Sequence, residues 1–291
     1  MEHLALSAPR HTTAALAEPA TVFDLRAAAQ VLTDAAAKAG AAIMAHYGAT
    51  DEIDYKEDNS PVTQADRDAN DILEAALRDF APSIPVVSEE TATDRKAPLG
   101  RTFFLVDPLD GTKEFIKKRS DFTVNVGLIE DGFPCFGMVY APARGLLAVT
   151  VADGVAIEAS MPPSAAGADL DVLTQKRLHA RAADPGAVTA LVSLSHLDAK
   201  TEEFLERFSV AERSGAGSSV KFLEIARGNA DVYPRLAPTM EWDTAAGQAV
   251  LEAAGGHVVD MKGARFAYGK SDAGLKNGSF VAWGRTVLTP R

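Results

Sequence analysis

The stretch FFLVDPLDGTKEF, Phe103 to Phe115, decides how the chain is read, because four apolar residues lead straight into two aspartates three positions apart. Pro108 lacks an N–H and disfavours helix before it, which places Asp107 at a strand end and requires the chain to turn. Gly111 admits backbone angles other residues resist. A turn of this kind can aim Asp107 and Asp110 at one point, where two carboxylates raise each other's pKa unless a cation compensates. A hard dication with oxygen ligands, Mg²⁺ above all, is the usual remedy. The plainer alternative is a capping turn with Asp110 at the N-cap of a helix beginning at Gly111. On this segment alone both readings stand.

Working outward, other elements also end in carboxylates. The apolar strand IPVVSEE delivers Glu89 and Glu90, SPVTQADRDAND sets Asp66 at a helix start, and MEWDTAAGQAVLEAAGG sets Asp243 before an Ala-rich helix. A carboxylate at a helix start is favoured by the helix dipole in any case, so capping is an adequate account of Asp66 and Asp243 taken singly. Taken together they are acidic positions at element ends in a chain with one cysteine, Cys135, and no ligand spacing among its six histidines. That excludes every Cys-based zinc site and any intrachain disulfide, and fits a reducing cytoplasm.

The chain's 291 residues, 47% of them hydrophobic and 24% charged, are enough for one large or two ordinary globular domains. A formal net charge of −11 argues against a nucleic-acid polymer as partner but not against a small anion held by local positive charge. No apolar run approaches the roughly 18 residues of a membrane span. Met1 to Thr21 reads as a flexible Ala/Pro-rich extension, with Glu2 where a secretory leader carries positive charge.

Helices are expected over Leu25–Tyr47, closed by Gly48, and over Arg67–Phe80. Phe122 to Ala159 alternates in hydropathy around the turn pairs Asp131-Gly132 and Asp153-Gly154, as an antiparallel meander does. MPPSAAGAD, Met161 to Asp169, is the expected boundary between an α+β metal-binding domain, 22–160, and an α/β substrate-binding domain, 161–291. In the second half AVTALVSLS, SVAERSG, ADVYPR and HVVDM read as strands alternating with three helices. Within it RSGAGSSVKF runs a Gly/Ser loop into a helix, which can bind an anion or serve as an ordinary connection.

DPLDGT with an upstream EE and a downstream WDTAAG resembles the metal-dependent, lithium-sensitive phosphatase superfamily that includes inositol monophosphatase and fructose-1,6-bisphosphatase, in the family's order over about Leu25 to Trp283. LVDPLDGTKEFI, GSSVKF and ADVYPR look more like its 3′(2′),5′-bisphosphate nucleotidase branch, the bacterial enzymes of sulfate assimilation. The resemblance implies a layered αβαβα sugar-phosphatase fold that converts adenosine 3′,5′-bisphosphate to AMP and phosphate in the cytoplasm. It implies two to three Mg²⁺ ions held by Glu89, Asp107, Asp110, Asp243 and the Leu109 carbonyl, with a metal-activated water as nucleophile. Asp66 and Thr112 match the acidic and hydroxyl positions that orient that water. Gly111 and Thr112 N–H groups suit the reacting phosphate. Ser218, Ser219, Lys221, Arg235 and Lys113 are candidates for the rest of the nucleotide, Lys113 being equally readable as a solvated lysine. An inositol or sugar monophosphatase with the same metal site is the nearest alternative, and a non-catalytic metal and nucleotide sensor a more distant one. Oligomeric state and peripheral association with the inner membrane are left open.

Overall fold

A computed structural model describes residues 23–49, 54–55, 61–92, 99–193 and 198–290. The N-terminal extension expected over Met1–Thr21 lies outside the described residues.

Helix α1 (Leu25–His46) starts where the Asp24 carboxylate accepts the Arg26 and Ala27 N–H groups, both at 3.0 Å, and the chain leaves it through Gly48 at φ 87°. A short antiparallel pair, β1 (Asp54–Tyr55) and β2 (Pro61–Val62), precedes α2 (Gln64–Phe80). Helix α2 begins three residues earlier than the apolar stripe indicated. Thr63 is the N-cap, and the Asp66 carboxylate reaches back to accept the Thr63 N–H at 2.8 Å, a capping-box geometry. Asp66 is therefore inside the first turn.

Next come β3 (Val86–Ser88), β4 (Thr102–Asp110), the short helix α3 (Thr112–Ile116), and the strands β5 (Thr123–Glu130), β6 (Phe133–Ala141), β7 (Leu146–Ala152), β8 (Val155–Ser160) and β9 (Gln175–Arg177). These strands lie side by side in that order as one seven-stranded sheet, antiparallel apart from the parallel β3–β4 pair. The expected meander is its centre. The division expected at residues 160 and 161 falls short of the sheet's end, since β9 pairs with β8 beyond it.

The second half runs β10 (Val188–Ser193), α4 (Ala199–Glu206), β11 (Val210–Ala216), α5 (Val220–Ala226), β12 (Val232–Arg235), a two-residue β13 (Thr239–Met240), α6 (Ala245–Ala253), β14 (His257–Asp260), β15 (Lys276–Asn277) and β16 (Phe280–Trp283). Strand β16, unforeseen in the sequence, fits between β12 and β14, antiparallel to both, in a five-stranded sheet ordered β11-β10-β12-β16-β14.

Period-two alternation sorts the side chains into layers. Along β4, Phe104 and Val106 join the core beneath α1 and α2, while Phe103 and Leu105 face α5 and α6. That second core continues to Tyr233, Val258 and Phe280 of the smaller sheet, whose other face packs Val188, Val232 and Trp283 against Phe204 and Leu205 of α4. The layers are thus helix, sheet, helix, sheet, helix. Helix α6 lies so close to the large sheet that a Cβ at Gly137 would stand 2.3 Å from the Ala246 carbonyl oxygen. Only a run as small as TAAGQA can approach that near.

Candidate active site

Asp107 pairs with Asn125 of β5, and Asp110 with Thr123, so three steps on one strand answer two on the other. The extra residue is a bulge at Pro108–Leu109, where the missing proline N–H costs no ladder bond. The expectation that Asp107 ends a strand and opens a turn is corrected here: the strand continues to Asp110 through the bulge. The consequence for side chains is decisive. Residues three apart on a regular strand face opposite ways, yet Asp107 and Asp110 line the same cavity, of about 430 Å³. Gly111 then turns at φ 94° into α3, which starts at Thr112.

Glu89 enters at the end of β3, its N–H bonded to the Val106 carbonyl at 3.0 Å. Asp243 enters from the turn before α6, where its carboxylate accepts the Met240 N–H at 2.8 Å. One carboxylate oxygen from each of Glu89, Asp107 and Asp243 lies within 4.8 Å of the others. Burial, then Glu89, Asp110 and Asp243, push the Asp107 carboxyl well above the usual carboxylate range. Burial, then Asp110 and Glu89, push Asp243 up likewise, with the Met240 N–H and Arg235 opposing. A compact, oxygen-only donor set in which Asp107 and Asp243 resist ionising fits a hard dication, which relieves the repulsion.

Asp110 stands apart from that trio. Its Oδ2 accepts from Ser218 Oγ at 2.6 Å, Ser219 N at 2.9 Å and Asn125 Nδ2 at 3.3 Å. Ser219 Oγ in turn donates to the Asp243 carbonyl oxygen at 2.9 Å. The Gly/Ser loop therefore spends Ser218 and Ser219 on the acidic residues themselves. Lys221 is also committed inward: it is buried, and its Nζ donates to the carbonyls of Ser218 at 2.6 Å and Ala216 at 3.2 Å. Burial lowers its pKa to about 8 despite Asp110 nearby.

Thr112 Oγ1 lies 3.3 Å from Asp66 Oδ1 and 3.2 Å from the Leu109 carbonyl oxygen, and can donate to either. Asp66 is buried, so the distant start of α2 and the start of α3 meet at one hydroxyl. Arg235 also lines the cavity. Its Nη2 donates to the Pro238 carbonyl at 3.4 Å, and its buried Nε has no hydrogen-bond partner among the described residues. Lys113 lines the cavity as well.

Sequence reasoning missed Asn125 and Lys276. Asn125 is fully buried in an otherwise apolar strand and bonds both Asp110 and Ser219; a lone amide within TVNVGLI was the available signal. Lys276 reaches the cavity through β15 pairing with β13, and nothing local marks it.

The inositol monophosphatase family profile matches residues 24–285. The chain is 40% identical over 250 residues to the 3′(2′),5′-bisphosphate nucleotidase CysQ of Escherichia coli strain K12, covering 85% of this chain and 96% of that one. It is 41% identical over 250 residues to the protein of the same name from Shigella flexneri, with the same coverage of both, 85% and 96%. The crystal structure of CysQ from Bacteroides thetaiotaomicron, a bacterial member of the inositol monophosphatase family, superposes with a TM-score of 0.74 at 36% identity, covering 90% of this chain and 98% of that one. The Thermotoga maritima IMPase shares the fold at a TM-score of 0.69 and 21% identity, over 87% and 91% of the two chains.

Proposed function

The chain belongs to the inositol monophosphatase family, and we propose that it is a 3′(2′),5′-bisphosphate nucleotidase, hydrolysing adenosine 3′,5′-bisphosphate to AMP and phosphate. The observation that carries the reading is one cavity that joins a carboxylate cluster to a buried arginine. Glu89, Asp107, Asp110 and Asp243 line it together with Arg235, whose buried Nε has no hydrogen-bond partner among the described residues. A monophosphate needs only the carboxylates and their cations; a substrate with two phosphates also uses the arginine.

Mg²⁺ is the dication we assign, two to three ions, with the four carboxylates and the Leu109 carbonyl as the groups that would hold them. When bound, such ions supply Lewis acidity at the phosphoryl group and a more acidic water. The chain's own groups do the rest. The Thr112 hydroxyl, when it donates its hydrogen bond to the Asp66 carboxylate, is oriented at the cavity and gives the pair a proton to hold or move. Gly111 and Thr112 present their N–H groups at the start of α3, where an anionic oxygen is favoured. Ser218, Ser219 and Asn125 hold Asp110 still. Arg235 faces the second phosphate, with Lys113 and Lys276 adding positive charge around the cavity in a chain of net charge −11.

Among the described residues no helix is long and apolar enough to cross a membrane. We place the reaction in the cytoplasm, which suits a single cysteine whose thiol burial pushes up to about 11.

Phosphate release from adenosine 3′,5′-bisphosphate and from inositol 1-phosphate, with Mg²⁺ and with or without Li⁺, tests the proposal. Faster, Li⁺-inhibited release from the nucleotide is expected. Preference for inositol phosphate would overturn the nucleotide assignment, and tight nucleotide binding without release would make the protein a sensor.

A further inference from the structure

Beyond the cavity, the loop that grips Asp110 is itself gripped, by residues so far assigned no role. Ser218 adopts φ 50°, a left-handed conformation that a serine keeps only when its surroundings enforce it. Immediately before it, the Gly217 N–H donates to Asp121 Oδ2 at 3.0 Å. A Cβ at Gly217 would stand 2.7 Å from the Asp121 carbonyl oxygen and 2.8 Å from its Cβ, so the two segments are in tight backbone contact. The other oxygen of Asp121, Oδ1, accepts a hydrogen bond from Arg144 Nη2. Arg144 stands at the end of the 3₁₀ turn Pro142–Arg144, with Glu224 of α5 3.8 Å from its Nη1.

We infer that the Arg144–Asp121 pair is a positioning device for Asp110. It anchors Gly217 so that Ser218 and Ser219 hold one oxygen of the Asp110 carboxylate, in the orientation that serves a dication in the cavity. The linkage is continuous: guanidinium to carboxylate, carboxylate to Gly217 N–H, and from the next two residues to Asp110. A charged pair suits this task better than a neutral one. The Asp121 carboxylate is buried and has both oxygens engaged, so it cannot swing without abandoning a charge-assisted bond. Lys221 also steadies the same loop, through the Ala216 and Ser218 carbonyls. Neither Asp121 nor Arg144 lines the cavity, so any effect on the ions passes through Asp110.

The inference rests on the metal assignment of Asp110 and is independent of which phosphate ester is the substrate. Its test is calorimetric titration of the full chain with Mg²⁺, alongside thermal unfolding without metal, for wild type, Asp121→Ala, Arg144→Met, the double variant and Arg144→Lys. Changing partners outside a metal's own ligands commonly costs 10- to 100-fold in affinity, so Asp121→Ala and Arg144→Met should each weaken Mg²⁺ binding by about tenfold or more. The double variant should lose no more than the worse single, because one linkage is broken in each. Arg144→Lys keeps the charge at a half-exposed position and should bind with intermediate strength, which preserves the test if another variant does not fold. Variants that melt earlier yet bind Mg²⁺ as wild type does would overturn the positioning role and leave the metal reading intact. A wild type that binds no dication would overturn the metal reading, and this inference with it.

Discussion

Asp107 and Asp121 are both buried, at 2% and 8% exposure, and their carboxyls are perturbed in opposite directions. Burial is the first influence on each and favours the neutral acid. At Asp121 the Gly217 N–H and the Arg144 guanidinium outweigh it, and the pKa falls below the usual value. At Asp107 the neighbours are Glu89, Asp110, Asp243 and Asp66, all of one sign, and the pKa rises far above it. A buried carboxylate with its counter-charge built into the chain belongs to the architecture. One crowded by further carboxylates awaits a charge from outside, and that distinguishes a site from a support.

The largest expected effect comes from removing a member of the crowded set. Asp107→Asn should lower turnover well beyond the roughly 10- to 100-fold that a metal's outer partners cost. It should also leave the metal-free protein as stable as wild type or more so, because it relieves like-charge crowding. Steady-state kinetics with chemical denaturation in chelator checks both; a less stable metal-free variant would erase the contrast with Asp121. Next, Thr112→Val removes the hydroxyl shared between Asp66 and Leu109 and should lower kcat by about 100-fold with KM little changed, the scale of a lost proton-handling group.

Acidity sharpens the comparison. A carboxyl raised in the folded state contributes stability at low pH, so the metal-free protein should lose the Asp107 and Asp243 contributions as pH climbs from 3.8 through the raised values. Asp121 behaves oppositely: its contribution is present above 3.8 and is lost as pH falls through the lowered value. Thermal melts across pH, in chelator and in Mg²⁺, should show a metal-induced gain that grows with pH, because binding releases protons. At 100 times its dissociation constant each ion bound should add about 2.7 kcal/mol to that gain. The smallest effect concerns the route by which Asp243 arrives. Gly137→Ala would press α6 off the large sheet and should cost about 1–3 kcal/mol in urea unfolding, with activity falling more than stability alone explains.

Much of this was legible in the chain, and the reasons are local. Asp107, Asp110, Gly111 and Thr112 are neighbours, and the proline and glycine among them constrain the backbone wherever the segment sits. The apolar runs of β3 and β4 and the small-residue helix α6 likewise announced themselves. Other features depended on distant segments. Whether Pro108 made a turn or a bulge was set by Asn125 and Thr123 pairing across the sheet. Ser218 and Lys221 read as candidates for binding the nucleotide, and only the fold shows Asp110 and two backbone carbonyls as their partners. The Arg144–Asp121 pair had no local signal, since an arginine after Ala-Pro-Ala and an aspartate after Arg-Ser read as ordinary surface residues. Strand β16 is short and is buried between β12 and β14, so only the pairing with both reveals it.

From its residues alone this protein showed an α+β half, an α/β half and an acidic, dication-seeking segment, because hydropathy period and turn chemistry act over a few neighbouring positions. The layered phosphatase was what the resemblance of DPLDGT, EE and WDTAAG implied. The tertiary structure alone decided which carboxylates are left without a counter-charge and which are already neutralised. Charge balance in a low-dielectric interior depends on what stands a few ångströms away in space, whatever its distance along the chain.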